Sequence, residues 1–137
     1  MKGGFILKYC AEFESSFEQA EYHAKTVRRI LTESNINISQ ERFFIIDYAI
    51  RELLNNAVEH GNQMNIDRKV KFSLSFNNEN FEIDVYDQGN GFDLKNVISN
   101  LENFDILQYR NRGLSSILLA GFKVQVDEGH VHACITI

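Results

Sequence analysis

The spacing of apolar residues changes character halfway along the chain. Residues 5–13, FILKYCAEF, are apolar-rich and predict a strand. Over 15–34, Phe17, Ala20, Ala24, Val27, Ile30 and Leu31 recur at helical steps, and Ser15 or Ser16 precedes them as a cap. A second helix is predicted from near Ser39, with Phe43, Ile46, Ile50, Leu53, Leu54 and Ala57 as its apolar stripe. Gly61 is expected to end it, because glycine accepts the left-handed conformation of a helix C-terminus.

Beyond residue 68 the period becomes two. KVKFSLSF (69–76) alternates through Val70, Phe72, Leu74 and Phe76, and FEIDVYD (81–87) through Phe81, Ile83 and Val85. With NNEN (77–80) as the turn, the two runs predict a hairpin. DQGNGFD (87–93) is a glycine-rich loop, and residues 94–110 carry no single period. RGLSSILLAGF (112–122) predicts a short helix ending at Gly121, and KVQVDE with HVHACITI a second hairpin about Gly129. Helices gather in the first half and strands in the second. That order predicts an α+β fold in one domain, a mainly antiparallel sheet with helices on one face.

Composition narrows the picture without deciding it. A chain of 137 residues suits a single domain that folds without staples. A net charge of −5 argues against general nucleic-acid binding, which needs a basic surface. Cys10 and Cys134 lack metal-type spacing; two buried, reduced thiols are expected, with a disulfide as the other reading. The apolar start is too short for a signal peptide, and nothing approaches the roughly 20 apolar residues of a membrane span. A cytoplasmic protein is the default expectation.

Three stretches carry candidate chemistry. On the second helix, Glu52, Asn56, Glu59 and Gln63 follow at steps of four, three and four, with His60 beside them. Such a row is either a solvated face or a ligand site holding a carboxylate base and an amide oxygen suited to Mg²⁺. In DQGNGFD, Asp87 shares strand parity with Val85, so its carboxylate is aimed at the apolar layer. A buried carboxylate needs a partner. The amino group of a purine would serve, and so would a cap of its own loop. Gly89 and Gly91 let backbone approach a ligand. In NRGLSSI, Arg112, Gly113 and Leu114 open a helix whose free N–H groups suit an anion, as any helix start does.

Taken in order, E-x3-N-x3-H-G on a helix, D-x-G-x-G-F after a strand and R-G-L opening a helix resemble the ATP-binding domain of the GHKL superfamily, nearest the anti-sigma-factor serine kinase branch. The resemblance covers nearly the whole chain and implies a two-layer sandwich with a mixed, mainly antiparallel sheet. It implies ATP and Mg²⁺ as cofactors. Glu52 would be the catalytic base and Asn56 the Mg²⁺ ligand, with His60 and Gly61 near the nucleotide. Asp87 would accept from the adenine amino group, with Gly89 and Gly91 beside base and ribose. Gly113 and Leu114, with Arg112, would face the phosphates. The partners implied are a sigma factor, or an equivalent regulator, and an antagonist protein that receives phosphate on a serine. A homodimer is also suggested by the resemblance. There is no Walker sequence, and a histidine kinase is not expected, because its extra helical hairpin would need more than these 137 residues.

The chain also departs from that pattern. Asn111 stands where the family usually has glycine, the lid region between Gly91 and Gly113 is short and lacks glycine, and HVHACITI lacks the usual Gly-Thr near its start. These departures favour the alternative function, a non-catalytic GHKL-like module that sequesters a regulatory partner.

Overall fold

A computed structural model describes residues 7–89 and 112–137. Strand β1 is Leu7–Glu14, followed by helices α1 (Phe17–Glu33) and α2 (Gln40–Asn56). A wide π-turn, Ala57–Gly61, continues α2. The hairpin β2 (Lys69–Phe76) and β3 (Asn80–Tyr86) comes next, then α3 (Arg112–Leu119), β4 (Lys123–Asp127) and β5 (His130–Thr136). The strands lie in the order β1-β2-β3-β5-β4, and every described pair is antiparallel. With the helices packed on this sheet, the architecture is the expected α+β fold.

Alternation in the strands decides which face is covered. Phe72, Val85 and Val131 stand in one cross-strand row, and Leu74, Ile83 and Ala133 in the next; all six are buried. Ala20, Ala24, Val27 and Leu31 of α1 and Ile46, Ile50, Leu53 and Leu54 of α2 are buried in the same core. Each fully buried leucine or isoleucine contributes roughly 1.5–3 kcal/mol. Ser16 caps α1 by accepting from Gln19 N, and Ser39 caps α2 by accepting from Arg42 N, each at 3.1 Å. Helix α2 packs against α1, α3 and β3, so its end is carried toward the end of β3.

The opposite face of the sheet is polar. One row reads Cys10, Ser73, Asp84, His132 and Gln125. The next reads Lys8, Ser75, Glu82, Cys134 and Lys123. This corrects the expectation of buried thiols: Cys10 is exposed and Cys134 partly so, and both are free. Two strands separate them, which also removes the disulfide. Their parity with Lys8 and with His132 carried that information in the sequence. Among the described residues, no helix is long and apolar enough to cross a membrane.

Candidate functional site

The end of α2, the end of β3 and the start of β5 converge on Asp87. Asp87 is the first residue beyond β3, and its N–H donates to Gly129 O at 2.8 Å. Its Oδ1 accepts from Gly89 N at 2.8 Å. Its other oxygen, Oδ2, lies against Gly61, where an added Cβ would sit 2.3 Å away. A Cβ on Gly89 would lie 1.9 Å from Gly61 O, and one on Gly129 would lie 2.8 Å from Asp87 O. Three glycines from separate elements thus form a cradle around Asp87: Gly61 and Gly89 at its carboxylate, Gly129 at its backbone carbonyl. Burial raises the Asp87 pKa, against the lowering effects of the Gly89 N–H and of Arg68.

Gly61 therefore serves a purpose other than the expected one. Its φ is not positive; the left-handed residues that end the helix are Gln63 (φ 54°) and Met64 (φ 59°). What requires glycine at 61 is the approach of Asp87.

The polar row on α2 is divided by the π-turn. Asn62 N bonds Ala57 O at 2.8 Å, a step of five residues that widens the helix beyond Asn56. Glu59 and Gln63 consequently turn out to solvent. Glu52 stays half-buried and Asn56 is buried, at 7% exposure. Among the described residues neither side chain has a hydrogen-bond partner, and burial raises the Glu52 pKa. His60 is largely shielded, with Nε2 3.8 Å from Glu59 Oε2.

These features bear on the implied cofactors. A buried, unpartnered amide is costly, by about 1–3 kcal/mol, unless something binds it. Its oxygen is the hard donor that Mg²⁺ takes when phosphates supply further ligands. The side chains present therefore fit an ATP–Mg²⁺ pair: Asn56 is of the kind that would hold the metal, and Asp87 of the kind that would accept from a hydrogen-bond donor. Among the described residues, no group of three or more His, Cys, Asp or Glu is placed to hold a metal by itself. Arg112, Gly113 and Leu114 form the first turn of α3, which packs on α2. Gly91, Asn111 and the lid region at 93–110 lie outside the described residues.

Two contributors escaped the sequence reading. Gly129 looked like an ordinary hairpin glycine, and its φ of +72° is consistent with that, yet its carbonyl also holds Asp87. Asn62 is fully buried, and its Oδ1 accepts from Gln88 N at 2.7 Å. No spacing rule reaches from Asn62 to its partners.

A family model described as a histidine kinase-like ATPase domain matches residues 17–136. No curated protein matches the chain to a significant degree.

Proposed function

The chain belongs to the histidine kinase-like ATPase family, and from that premise we propose that it is a protein-serine kinase of the anti-sigma-factor type. ATP binding follows from the membership; phosphoryl transfer to a serine on an antagonist protein, and alternate capture of a sigma factor or equivalent regulator, is our reading. The observation that supports transfer is the pairing of Glu52 with Asn56, one helical turn apart and both without partners among the described residues.

Each residue then has a defined task. Asp87 accepts from the adenine amino group through the oxygen that Gly89 leaves free. Asn56 would hold Mg²⁺, which would neutralise phosphate charge when bound with ATP. Glu52 takes the proton from the attacking serine hydroxyl, and its raised pKa makes it a better base than an exposed carboxylate. The start of α3 offers its unpaired N–H groups to phosphate oxygens.

The test is transfer of labelled γ-phosphate from ATP to a serine protein. A Glu52→Ala chain that binds ATP normally and transfers nothing supports the reading. Undiminished transfer by that variant sinks Glu52 as the base, and no transfer by wild type sinks the kinase.

A second reading, a non-catalytic module that sequesters its partner, draws on β5. Where the family pattern has Gly-Thr, this strand opens with His130 and His132. His130 Nε2 and His132 Nδ1 each lie 2.8 Å from Asp84 Oδ1, on the outer face of the sheet. The same transfer assay separates the two readings.

A further inference from the structure

We propose that Asn62 is a positioning residue that sets the base selectivity of Asp87, by locking the Asp87–Gly89 loop to the end of α2. The inference rests on the nucleotide-binding reading above and extends it to a residue that touches no nucleotide.

Asn62 is 0% exposed, and its amide is used on both sides. Nδ2 donates to Ser15 Oγ at 2.7 Å and to Lys69 O at 3.0 Å, while Oδ1 accepts from Gln88 N at 2.7 Å. The partners are themselves tied down. Ser15 Oγ donates to Arg68 O at 2.7 Å, and Lys69 N donates to Gln88 Oε1 at 2.7 Å. Asn62, Gln88 and Lys69 thereby close a ring of hydrogen bonds joining the α2 end, the loop and the start of β2. Asn62 and Ser15 are buried, while Lys69 and Gln88 close the ring at the surface; the buried, fully used Asn62 amide fixes geometry, because it loses a costly bond if a partner moves.

The ring acts on Asp87 through the peptide that follows it. The Asp87 N–H is held by Gly129 O, and the next N–H, that of Gln88, by Asn62 Oδ1. With both peptides fixed and Oδ1 held by Gly89 N, the direction of Oδ2 is determined. Adenine presents an amino donor at the position where guanine presents a carbonyl. A fixed acceptor favours the first and repels the second; a carboxylate free to rotate distinguishes them poorly. The phosphate side of the nucleotide owes nothing to this ring.

The experiment measures dissociation constants for ATP and GTP by calorimetry on wild type, Asn62→Ala, Ser15→Ala and the core control Ile46→Val, each well below its melting temperature. The preference for ATP over GTP is expected to fall about tenfold in Asn62→Ala and about threefold in Ser15→Ala. Ile46→Val is expected to melt lower with its preference intact. Should Asn62→Ala fail to fold, Ser15→Ala, which removes one anchor of Asn62, carries the test. An unchanged preference in the folded variants overturns the inference and leaves the nucleotide-binding reading standing. Wild type that binds neither nucleotide overturns both.

Discussion

Gly61 and Asp87 approach so closely that a β-carbon on the glycine would stand 2.3 Å from the carboxylate oxygen. One methyl group at this point must push the acid away. The new carbon would also stand 2.4 Å from Asp87 Cγ and 2.9 Å from its Cβ, so turning the carboxylate does not relieve the clash and the Asp87 backbone must shift as well. Gly61→Ala is therefore expected to lose nucleotide affinity and stability together. Gly89→Ala meets the Gly61 backbone carbonyl at 1.9 Å, a clash that only backbone movement relieves. Overpacking of this sort costs about 1–3 kcal/mol, and we expect Gly89→Ala at the upper end. Gly121→Ala is the contrast: nothing lies within 4 Å, and its φ of +107° alone costs roughly 1–2 kcal/mol. Melting curves and ATP titrations on the three variants check this order, and equal binding losses at Gly61 and Gly121 would contradict it.

Asp87→Asn keeps the shape of the cradle and removes its charge. Hydrogen bonds to charged groups are worth about 1.5–3 kcal/mol, so ATP affinity should fall roughly tenfold to a hundredfold. Circular dichroism should be unchanged. A variant that binds ATP as wild type does would remove Asp87 from the base site.

Asn56→Ala deletes a buried amide that has no partner among the described residues. The cavity left behind costs stability, but the released desolvation penalty of about 1–3 kcal/mol offsets it. The unliganded variant should melt within a few degrees of wild type, while the Mg²⁺-dependence of ATP binding disappears. A large drop in melting temperature would mean that Asn56 has a structural partner after all.

Glu52 makes a pH-dependent contribution whose sign is fixed by burial. Its pKa is higher in the folded chain than in the unfolded one, so the folded state holds the proton more tightly. The group favours folding most below about pH 4, where both states are protonated, and that contribution is lost as pH rises through the raised folded value. Glu52→Gln should therefore raise the melting temperature of the unliganded protein at neutral pH. The gain should vanish in acid. Parallel melting curves with equal slopes against pH would refute this.

The fold was legible because two periods, helical and alternating, are written into residues such as Val27, Ile46, Phe72 and Ile83, whose burial is decided locally. The site was legible only in part. Gly61 could be flagged, but a glycine after a helix has a conventional explanation, and the true one lies across the fold at Asp87. Glu59 and Gln63 fell on the ligand row only while the helix kept its regular pitch, and the single wide turn after Asn56 removed them from it. Asn62 was invisible for a different reason. Its bond to Ser15 spans 47 positions, and an asparagine beyond a helix end looks like any cap.

The strand order also has a consequence for the moment at which the molecule becomes active. β1 has no partner until β2 exists, because Glu14 and Lys69, the nearest pair of that ladder, are separated by both long helices. β3 pairs with β2 at once, but its other edge waits for β5, across α3 and β4. Pairings this distant in sequence close slowly. A chain emerging from the ribosome would hold Gly61, Asp87 and Gly89 well before Gly129 arrives to bind the Asp87 amide. Nucleotide binding thus waits on the β4–β5 hairpin, since the pocket is finished only when Gly129 takes its place.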